Sequence, residues 1–389
     1  MKKILPVVSA ALGLALASTV AASDQALLDL LVEKGIVSNI EAEQLKKEAA
    51  SKPARATVTA SSNNIKDLQL RGRIQTQVGY TNVKNDNGSG DYSTLEMRRV
   101  RLGMQGTLFQ NVRARVEANL VPNDFSMRSA YLQWREYDWA HIKVGFDKPT
   151  FGFEENTSSA SILTVERTLI NNTFAPGPLT GISIDGKKNI FGYSAGVYTD
   201  QINRNKDQES RYLYNLSGTV KLDDLLPDNN KLSLRADWLR SNDSNGQFGG
   251  SFEDGISVSA HYQLKPFDLR AEYIHLSDYD GDKTNGWYIM PSVYVTEKFQ
   301  LVARYEQASS DAAQGLRAAS RYARRADGGI LGGGAERGDA YQALYLGTNY
   351  YFAGDAHKVM FGVEFSELET ATAGDLKATT VFGAWRMLF

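Results

Sequence analysis

The 389-residue chain contains no cysteine. Disulfide bonds are therefore excluded, and strand pairing and packing must stabilise the folded chain. Beyond the first 20 residues, no segment approaches the roughly 20 consecutive apolar residues of a membrane-spanning helix. Any span must be built from β-strands, because only helices and closed barrels satisfy all backbone hydrogen bonds in lipid.

Neither the net charge nor the spacing of the histidines indicates a partner nucleic acid or a metal site. Its formal net charge is −2, which does not indicate a nucleic-acid partner. No Ser-His-Asp or paired-carboxylate arrangement stands out, so we expect no enzyme, no cofactor and no metal site. The four histidines fall on separate predicted strands without metal-ligand spacing: His141, His261, His275 and His357.

The first 66 residues divide into three predicted segments. Residues 1–22 contain Lys2 and Lys3, then an apolar run, then a Val-Ala-Ala cleavage site. This pattern predicts a secretory signal peptide. Residues 23–50 predict a periplasmic helical hairpin, with a capping box at Ser38 and Glu41. The hairpin is either a plug or spacer, or a handle for contacts and oligomerisation. Residues 51–66 predict a linker.

From residue 67 to residue 389, apolar and polar side chains alternate in segments of about ten residues. Repeated period-two segments are typical of a transmembrane β-barrel with apolar residues toward lipid and polar residues toward the lumen. The predicted strands are Leu68–Tyr80, Leu95–Phe109, Val112–Leu120, Ser126–Arg135, Trp139–Phe146, Leu179–Asp185, Ile190–Thr199, Arg211–Leu222, Lys231–Arg240, Glu253–Leu264, Phe267–Ser277, Asn285–Thr296, Lys298–Gln307, Ala340–Phe352, His357–Glu367 and Leu376–Phe389.

The lengths of the connections between the predicted strands also favour a transmembrane β-barrel. Short ones, such as Gln110 and Lys265-Pro266, alternate with long polar ones at Thr81–Thr94, Ser241–Phe252 and Ser309–Asp339. Sixteen strands leave room for an aqueous channel. A soluble sandwich or solenoid is the alternative. The leader, the last strand with its apolar alternation to Phe389, and aromatic residues near strand ends favour the barrel; these aromatics are Tyr80, Trp134, Trp139, Tyr262 and Trp287.

Residues 148–179 interrupt the alternation with one long segment. A loop of this length in a regular β protein is more often functional than idle, so we expect it to fold into the lumen and narrow it. Its charged residues are Lys148, Glu154, Glu155, Glu166 and Arg167. If the carboxylates face a basic wall, the pore is weakly selective; if Lys148 and Arg167 line the constriction, it becomes an anion filter.

Several separate blocks of the chain resemble the phosphate-selective porin O and P family. They include LEMRRVRLGMQGTLFQNVRARVEANL, SAYLQWREYDWAHIKVGFDKPTFGFEENTSS, VERTLINNTFAPG and NYYFAGDAHKVMFGVEF, together with the N-terminal hairpin. The resemblance implies a sixteen-stranded outer-membrane porin, a homotrimer, with its third external loop in the pore. One departure is Pro178, which follows Phe-Ala-Pro-Gly where the family often has a basic residue.

Alternation assigns an unequal charge to the two sides of the lumen. In the first five strands, the inward positions hold eight basic residues against Glu117 alone: Arg71, Arg73, Arg99, Arg101, Arg113, Arg115, Arg135 and Lys143. Later strands place opposite charges two residues apart, as in Arg235/Asp237, Arg270/Glu272 and Arg304/Glu306, which screen each other. Arginine-lined walls suit anion pores.

The sequence therefore predicts an outer-membrane porin for passive diffusion of small solutes, with a preference for anions such as phosphate. Its expected surroundings are outer-membrane lipid and lipopolysaccharide. The alternatives are a general, weakly selective porin and a barrel used as an adhesin or envelope tether. The loop at residues 309–339 carries Arg317, Arg321, Arg324 and Arg325. It either collects anions or lipopolysaccharide phosphates at the mouth, or is a solvated loop.

Overall fold

A computed structural model describes residues 32, 34, 57–58, 64–121, 124–199, 211–227, 230–242, 252–313, 315–318, 320–330, 337–370 and 374–389. The predicted signal peptide lies outside the described residues. So do the predicted hairpin, apart from positions 32 and 34, and most of the predicted linker. Among the described residues, no helix has the length and apolar composition needed to cross a membrane.

Sixteen long antiparallel strands form one sheet. They are β2 (Ile65–Asn85), β3 (Gly88–Leu108), β4 (Val112–Val121), β5 (Asp124–Tyr137), β6 (Ala140–Asp147), β7 (Leu179–Lys188), β8 (Phe191–Thr199), β9 (Tyr212–Lys221), β10 (Asn230–Ser241), β11 (Asp254–Leu264), β12 (Phe267–Ser277), β13 (Lys283–Tyr294), β14 (Phe299–Ser310), β16 (Arg337–Ala353), β17 (His357–Thr370) and β18 (Leu376–Leu388). Two-residue strands β1 (Thr57–Val58) and β15 (Leu316–Arg317) pair beside β2 and β16.

The sheet closes on itself. Each long strand pairs with its neighbours in chain order, and β18 pairs with β2. Phe361 and Phe365 of β17 face outward and are exposed, whereas the residues directly before them, Met360 and Glu364, are buried inside. The predicted sixteen-stranded antiparallel barrel is confirmed, and it follows from period-two alternation because every second side chain of a strand faces the same side.

We call the end of the barrel that carries the β3–β4 and β11–β12 connections the turn end, and the opposite end the loop end. The two longest connections at the loop end are L3 (residues 148–178) and L7 (residues 311–336). L3 contains short helices at Phe153–Asn156 and Leu169–Phe174, and L7 contains a helix at Arg321–Ile330. A 3₁₀ turn at Asp223–Leu225 lies at the turn end.

The predicted long loop at Thr81–Thr94 is wrong. Strands β2 and β3 continue to Asn85 and Gly88, with a turn of two residues between them. The added length of the strands is covered from inside by the L7 helix, where Tyr322 stacks on Tyr92 at a ring-centroid distance of 6.4 Å. The extra strand residues are stable because they carry this helix on their inner face.

A hydrophobic core fills part of the barrel at the loop end. Leu169 and Ile170 of L3 pack there with inward-facing apolar residues such as Ile274 and Leu276 of β12. Gly286 of β13 makes room for the loop, since a Cβ atom there would lie 2.0 Å from Ile170 Cγ2. Burying Leu169 and Ile170 contributes about 1.5–3 kcal/mol each, which favours the loop inside the barrel.

Candidate functional site

An open cavity of about 570 Å3 lies between L3 and the inner faces of β2–β6; we call it the central basic cavity. Ten basic and three acidic side chains line it. The basic residues are Arg71, Arg73, Arg98, Arg99, Arg101, Arg115, Arg128, Lys143, Lys148 and Arg167. The acidic residues are Glu117, Asp147 and Glu155. The formal charge of the lining is therefore strongly positive.

Six of the eight basic residues predicted for the early wall line this cavity: Arg71, Arg73, Arg99, Arg101, Arg115 and Lys143. The remaining two, Arg113 and Arg135, face a separate cavity of about 620 Å3 near the turn end. His141 and Asp185 also line that second cavity, and their side chains lie 3.1 Å apart. Alternation thus correctly identified these eight residues as facing the inside of the barrel. Their different heights along the barrel place six at the central basic cavity and two at the cavity near the turn end.

Two further arginines reach the lumen through β-bulges. In β3, Gln75 pairs with Arg99 and Thr76 with Met97, so Arg98 is the extra residue. In β5, Arg128 is the extra residue between Ser129 and Met127. A bulged residue escapes the alternation of the strand. Strict alternation from Arg99 and Arg135 would place Arg98 and Arg128 on the outer face, but the structure places both in the lining of the central basic cavity.

A signal for both bulges is present in the sequence. Leu95 and Met97 of β3 face outward, and after the bulge the outward positions become Leu102 and Met104, with the opposite parity. The same change occurs in β5 between Met127 and Leu132. An arginine facing the bilayer midplane costs about 2–4 kcal/mol, so a change of apolar parity at an arginine indicates a bulge.

Carboxylates of the opposite wall hold L3 in place. Glu272 of β12 accepts hydrogen bonds from Phe153 N at 2.6 Å and from Asn171 Nδ2 at 2.8 Å. Asp237 of β10 accepts one from Gly152 N at 3.0 Å, and Glu306 of β14 accepts one from Leu169 N at 2.8 Å. These carboxylates accept hydrogen bonds from N–H groups of the loop that would otherwise be buried without partners.

Cations of the same wall bind the carbonyl groups of L3. Arg386 donates to Ser159 O at 2.9 Å and to Val165 O at 2.6 Å. Arg304 donates to Glu166 O at 2.9 Å, and Lys358 donates to Ile162 O at 3.1 Å. All three cations are almost completely buried. The charges of this wall therefore stabilise the loop instead of facing the central basic cavity.

The predicted charge pairs of this wall are present in two cases of three. Arg235 lies 2.7 Å from Asp237, and Arg304 Nη2 lies 3.2 Å from Glu306. Arg270 instead pairs with Asp268 at 2.9 Å. The predicted Arg270/Glu272 pair is wrong, because Glu272 is occupied by the backbone of L3.

The five charged residues of L3 have different surroundings. Lys148, Glu155 and Arg167 line the central basic cavity, where Glu155 contacts Lys148 and lies 3.4 Å from Arg167. Glu166 pairs with Arg98 at 2.8 Å. Glu154 is buried and accepts a hydrogen bond from Thr168 N at 2.8 Å. The loop thus presents both basic and acidic side chains to the open side, with Lys148, Arg167 and Glu155 on the central basic cavity itself.

The basic surroundings change the acidity of the L3 side chains. The pKa of Lys148 is lowered to about 6, mainly by burial and to a smaller extent by repulsion from Arg167 and Arg128. For Glu166, burial alone acts to raise the pKa, but the adjacent Arg98 outweighs it, and the pKa falls well below its usual range. Lys148 is therefore largely neutral at pH 7, whereas Glu166 stays ionised.

Within the part of the chain that the structure describes, no cluster of histidine, aspartate or glutamate side chains is arranged to hold a metal ion. The arrangement of the site is that of a polar passage beside a fixed loop. Its guanidinium groups can hydrogen-bond to oxyanions in the forked geometry that arginine provides.

Comparisons with known proteins agree with this geometry. The family model for phosphate-selective porin O and P matches residues 68–380. An uncharacterized protein of Caulobacter vibrioides is 28% identical over 159 residues, a match that covers 39% of this chain and 32% of that protein. The alignment thus spans about a third of this relative's length.

Solved structures share the fold. The outer membrane channel DcaP of Acinetobacter baumannii is 11% identical with a TM-score of 0.56, covering 86% of this chain and 100% of that one. In-vitro folded OmpT, an outer membrane protein of Vibrio cholerae, is 13% identical with a TM-score of 0.56 and the same coverage. At these identities the likeness concerns the fold alone. Because the family model covers most of the sequence, the chain belongs to the phosphate-selective porin O and P family.

Proposed function

We propose that this porin passes small solutes by passive diffusion and prefers anions, phosphate among them, to cations. The observation that carries the proposal is the lining of the central basic cavity, with ten basic side chains against three acidic ones. Basic side chains around a narrow aqueous path lower the energy of an anion and raise that of a cation. The proposed pore-lining residues are the cavity residues, including the six predicted from the sequence.

The partners of the basic residues support a preference for anions. Arg71 donates to Gln105 Oε1 at 2.9 Å, Arg99 donates to Gln75 Oε1 at 3.1 Å, and Arg73 donates to Ser159 Oγ. These acceptors are neutral and do not cancel the positive charge. Where carboxylates are present, as in Arg115–Glu117 at 2.9 Å, they are outnumbered. A general, weakly selective pore would have more nearly balanced charge along the passage.

Several further features belong to the same proposal. Residues 1–22 direct export and are removed, residues 23–50 form a periplasmic hairpin, residues 51–66 link it to the barrel, and residues 67–389 form the barrel. The porin is a homotrimer embedded in outer-membrane lipid and lipopolysaccharide. The trimer is supported by a structural neighbour, the trimer form of OmpT of Vibrio cholerae, with a TM-score of 0.54. The proposal includes no enzymatic activity.

A bilayer measurement tests the preference. The purified full-length porin is inserted into planar bilayers with a tenfold KCl gradient, and the reversal potential is recorded. We expect the sign that corresponds to chloride passing faster than potassium. We also expect added inorganic phosphate to reduce the chloride current, because both anions occupy the same basic passage. A reversal potential of the opposite sign contradicts the proposal, and an absence of step conductance supports the adhesin alternative.

A further inference from the structure

The outer face of the barrel carries a groove of about 300 Å3 near the loop end, on strands β13, β14, β16 and β17. We call it the outer-face groove. Trp287 stands on one side of it, and Glu367 and Glu369 stand on the other. Ser309 and Ala340 lie between the two sides and are paired with each other across the strands. Because these two side chains are short, the surface is depressed there.

Direct cross-strand pairing forms a polar row along the groove. Trp287 of β13 pairs with Gln307 of β14, which pairs with Gln342 of β16. Gln342 pairs with Glu367 of β17, which pairs with Lys377 of β18. Residues directly opposite each other on adjacent strands face the same side of the sheet. With about 4.8 Å between strands, the row extends over roughly 19 Å of the outer surface.

Hydrogen bonds hold the polar row in place. Gln307 Nε2 donates to the hydroxyl group of Tyr305 at 2.7 Å, and this hydroxyl group donates to Gln342 Oε1 at 3.2 Å. Gln342 Nε2 donates to Glu367 Oε2 at 3.0 Å, and Lys377 Nζ lies 2.9 Å from Glu367 Oε1. The amide and carboxylate groups are thus oriented before a ligand binds, which reduces the entropy lost on binding.

An apolar row lies next to the polar row, toward the middle of the barrel. Ile289, Leu344 and Phe365 each lie two positions further from the loop end on their strands, and all three are exposed. Tryptophan and tyrosine concentrate where the apolar band of a barrel meets the lipid headgroups. Trp287 marks that level together with Tyr305, since their ring centroids lie 5.7 Å apart. The groove therefore lies beside headgroups, and the apolar row lies beside acyl chains.

The composition of the groove favours one kind of headgroup. Glu367 and Glu369 outnumber Lys377, so the groove repels a headgroup whose only polar group is a phosphate. A sugar ring instead presents hydroxyl groups, which hydrogen-bond to carboxylates and amides, and an apolar C–H face, which packs on an indole ring. An aromatic surface with a few oriented polar groups is the usual composition of a small-ligand site.

We propose that the outer-face groove binds a sugar ring of a glycolipid in the surrounding leaflet, with the acyl chains of that lipid along the apolar row. This inference rests on the outer-membrane setting of the proposed function, and it assigns the place on the barrel where the sugar headgroup of lipopolysaccharide is recognised. The groove lies at the loop end, the end that faces outside in bacterial outer-membrane barrels.

Native mass spectrometry tests the proposal. The full-length porin is refolded into an amine-oxide detergent, which contains no sugar, so that it carries no cellular lipid. The probe is dephosphorylated lipid A, a glucosamine disaccharide with acyl chains, and the comparison lipid is phosphatidylglycerol. We expect saturable binding of the glycolipid and at least about fivefold weaker binding of phosphatidylglycerol. Equal binding of the two lipids contradicts recognition of a sugar.

The variant Trp287→Ala removes the surface on which the sugar ring packs. We expect the dissociation constant of the glycolipid to rise about fivefold. Trp238→Ala is the matched control. Trp238 also faces outward near the loop end and is 37% exposed, against 38% for Trp287, but its cross-strand neighbours are Leu216 and Ile256. This control should bind the glycolipid as the parent does.

A second variant, Gln307→Leu/Gln342→Leu, removes the two amides and keeps side chains that suit the outer face of a barrel. It should weaken glycolipid binding to a similar extent. If both variants bind like Trp238→Ala, the groove is not a glycolipid site. If Trp287→Ala dissociates the trimer and leaves glycolipid affinity unchanged, the groove is a contact between copies and the proposal is wrong. A cation-preferring parent that still binds the glycolipid contradicts only the proposed anion preference, so the two failures are distinguishable.

Discussion

The two sides of the lumen carry similar residue types and use them differently. On the open side, formed by β2–β6, arginines such as Arg71 and Arg99 donate to neutral amide oxygens and line the central basic cavity. On the covered side, Arg304, Arg386 and Lys358 donate to carbonyl groups of L3 and are buried beneath it. What an inward arginine does therefore depends on whether a loop covers it, which its position in a strand does not reveal.

The largest effect is expected from reversing charge on the open side. Each Arg→Glu exchange changes the formal charge by two, so exchanging Arg71, Arg73, Arg101 and Arg128 outweighs the excess of seven basic over acidic side chains in the central basic cavity. We expect the channel to change from anion to cation preference, as measured by the reversal potential in a KCl gradient.

The control for this exchange is Arg240→Gln, at an exposed arginine that lies 2.5 Å from Glu253 near the loop end and outside the cavity lining. It should leave the reversal potential unchanged. Folding of each variant is checked by the heat-dependent shift of electrophoretic mobility that barrels show. A folded fourfold variant with the parent's preference would mean that the open side does not set selectivity.

On the covered side, Arg304→Ala should affect stability before selectivity. Arg304 bonds to Thr164 Oγ1 at 3.0 Å and to Glu364 at 3.0 Å, and its removal leaves buried carboxylates without their cation. Loss of one partner from such a buried group costs about 3–5 kcal/mol. We expect a lower midpoint of denaturant unfolding, and larger, noisier single-channel conductance because L3 is less firmly held.

A variant that removes the buried carboxylates together with Arg304 shows whether the stability lost in Arg304→Ala comes from unpaired charge or from lost packing. Arg304→Met combined with Glu306→Gln and Glu364→Gln removes the cation and two carboxylates together, which is often close to neutral for stability. It should recover much of the stability lost in Arg304→Ala. If both variants unfold at the same denaturant concentration, the covered side is stabilised by packing and not by its ion network.

The smallest expected effect comes from pH. The pKa of Lys148 is lowered to about 6 by burial and by the neighbouring arginines, so the side chain gains its charge as the pH falls from 7 to 5. One added positive charge should moderately increase anion preference over that interval. Lys148→Gln should remove this component of the pH dependence, measured as the reversal potential at each pH, while a shift that persists in Lys148→Gln must come from other groups.

The barrel could be predicted from sequence because its physical cause is local. Lipid on one face and water on the other impose period two on every strand, and that pattern is readable at residues such as Phe361 and Glu364. The basic character of the open side was readable for the same reason. These features require no knowledge of which distant segments meet.

The rest depends on contacts between segments far apart in the chain. Glu272 and Asn171 are 101 residues apart, and Tyr322 and Glu96 are 226 apart. Neither the loss of the Arg270/Glu272 pair nor the docking of the L7 helix follows from local alternation. The predicted loop at Thr81–Thr94 was wrong for this reason, since the helix that stabilises its strand conformation comes from L7.

The bulges at Arg98 and Arg128 have a consequence for the density of charge along the channel axis. A regular strand supplies one pore-facing side chain every two residues, roughly 7 Å of strand length. At each bulge two consecutive residues face the water, so the local spacing is about halved without adding a strand or widening the ring. A porin can thus change the linear charge of its passage by gaining or losing a single residue, while its lipid-contacting surface and its diameter stay as they were.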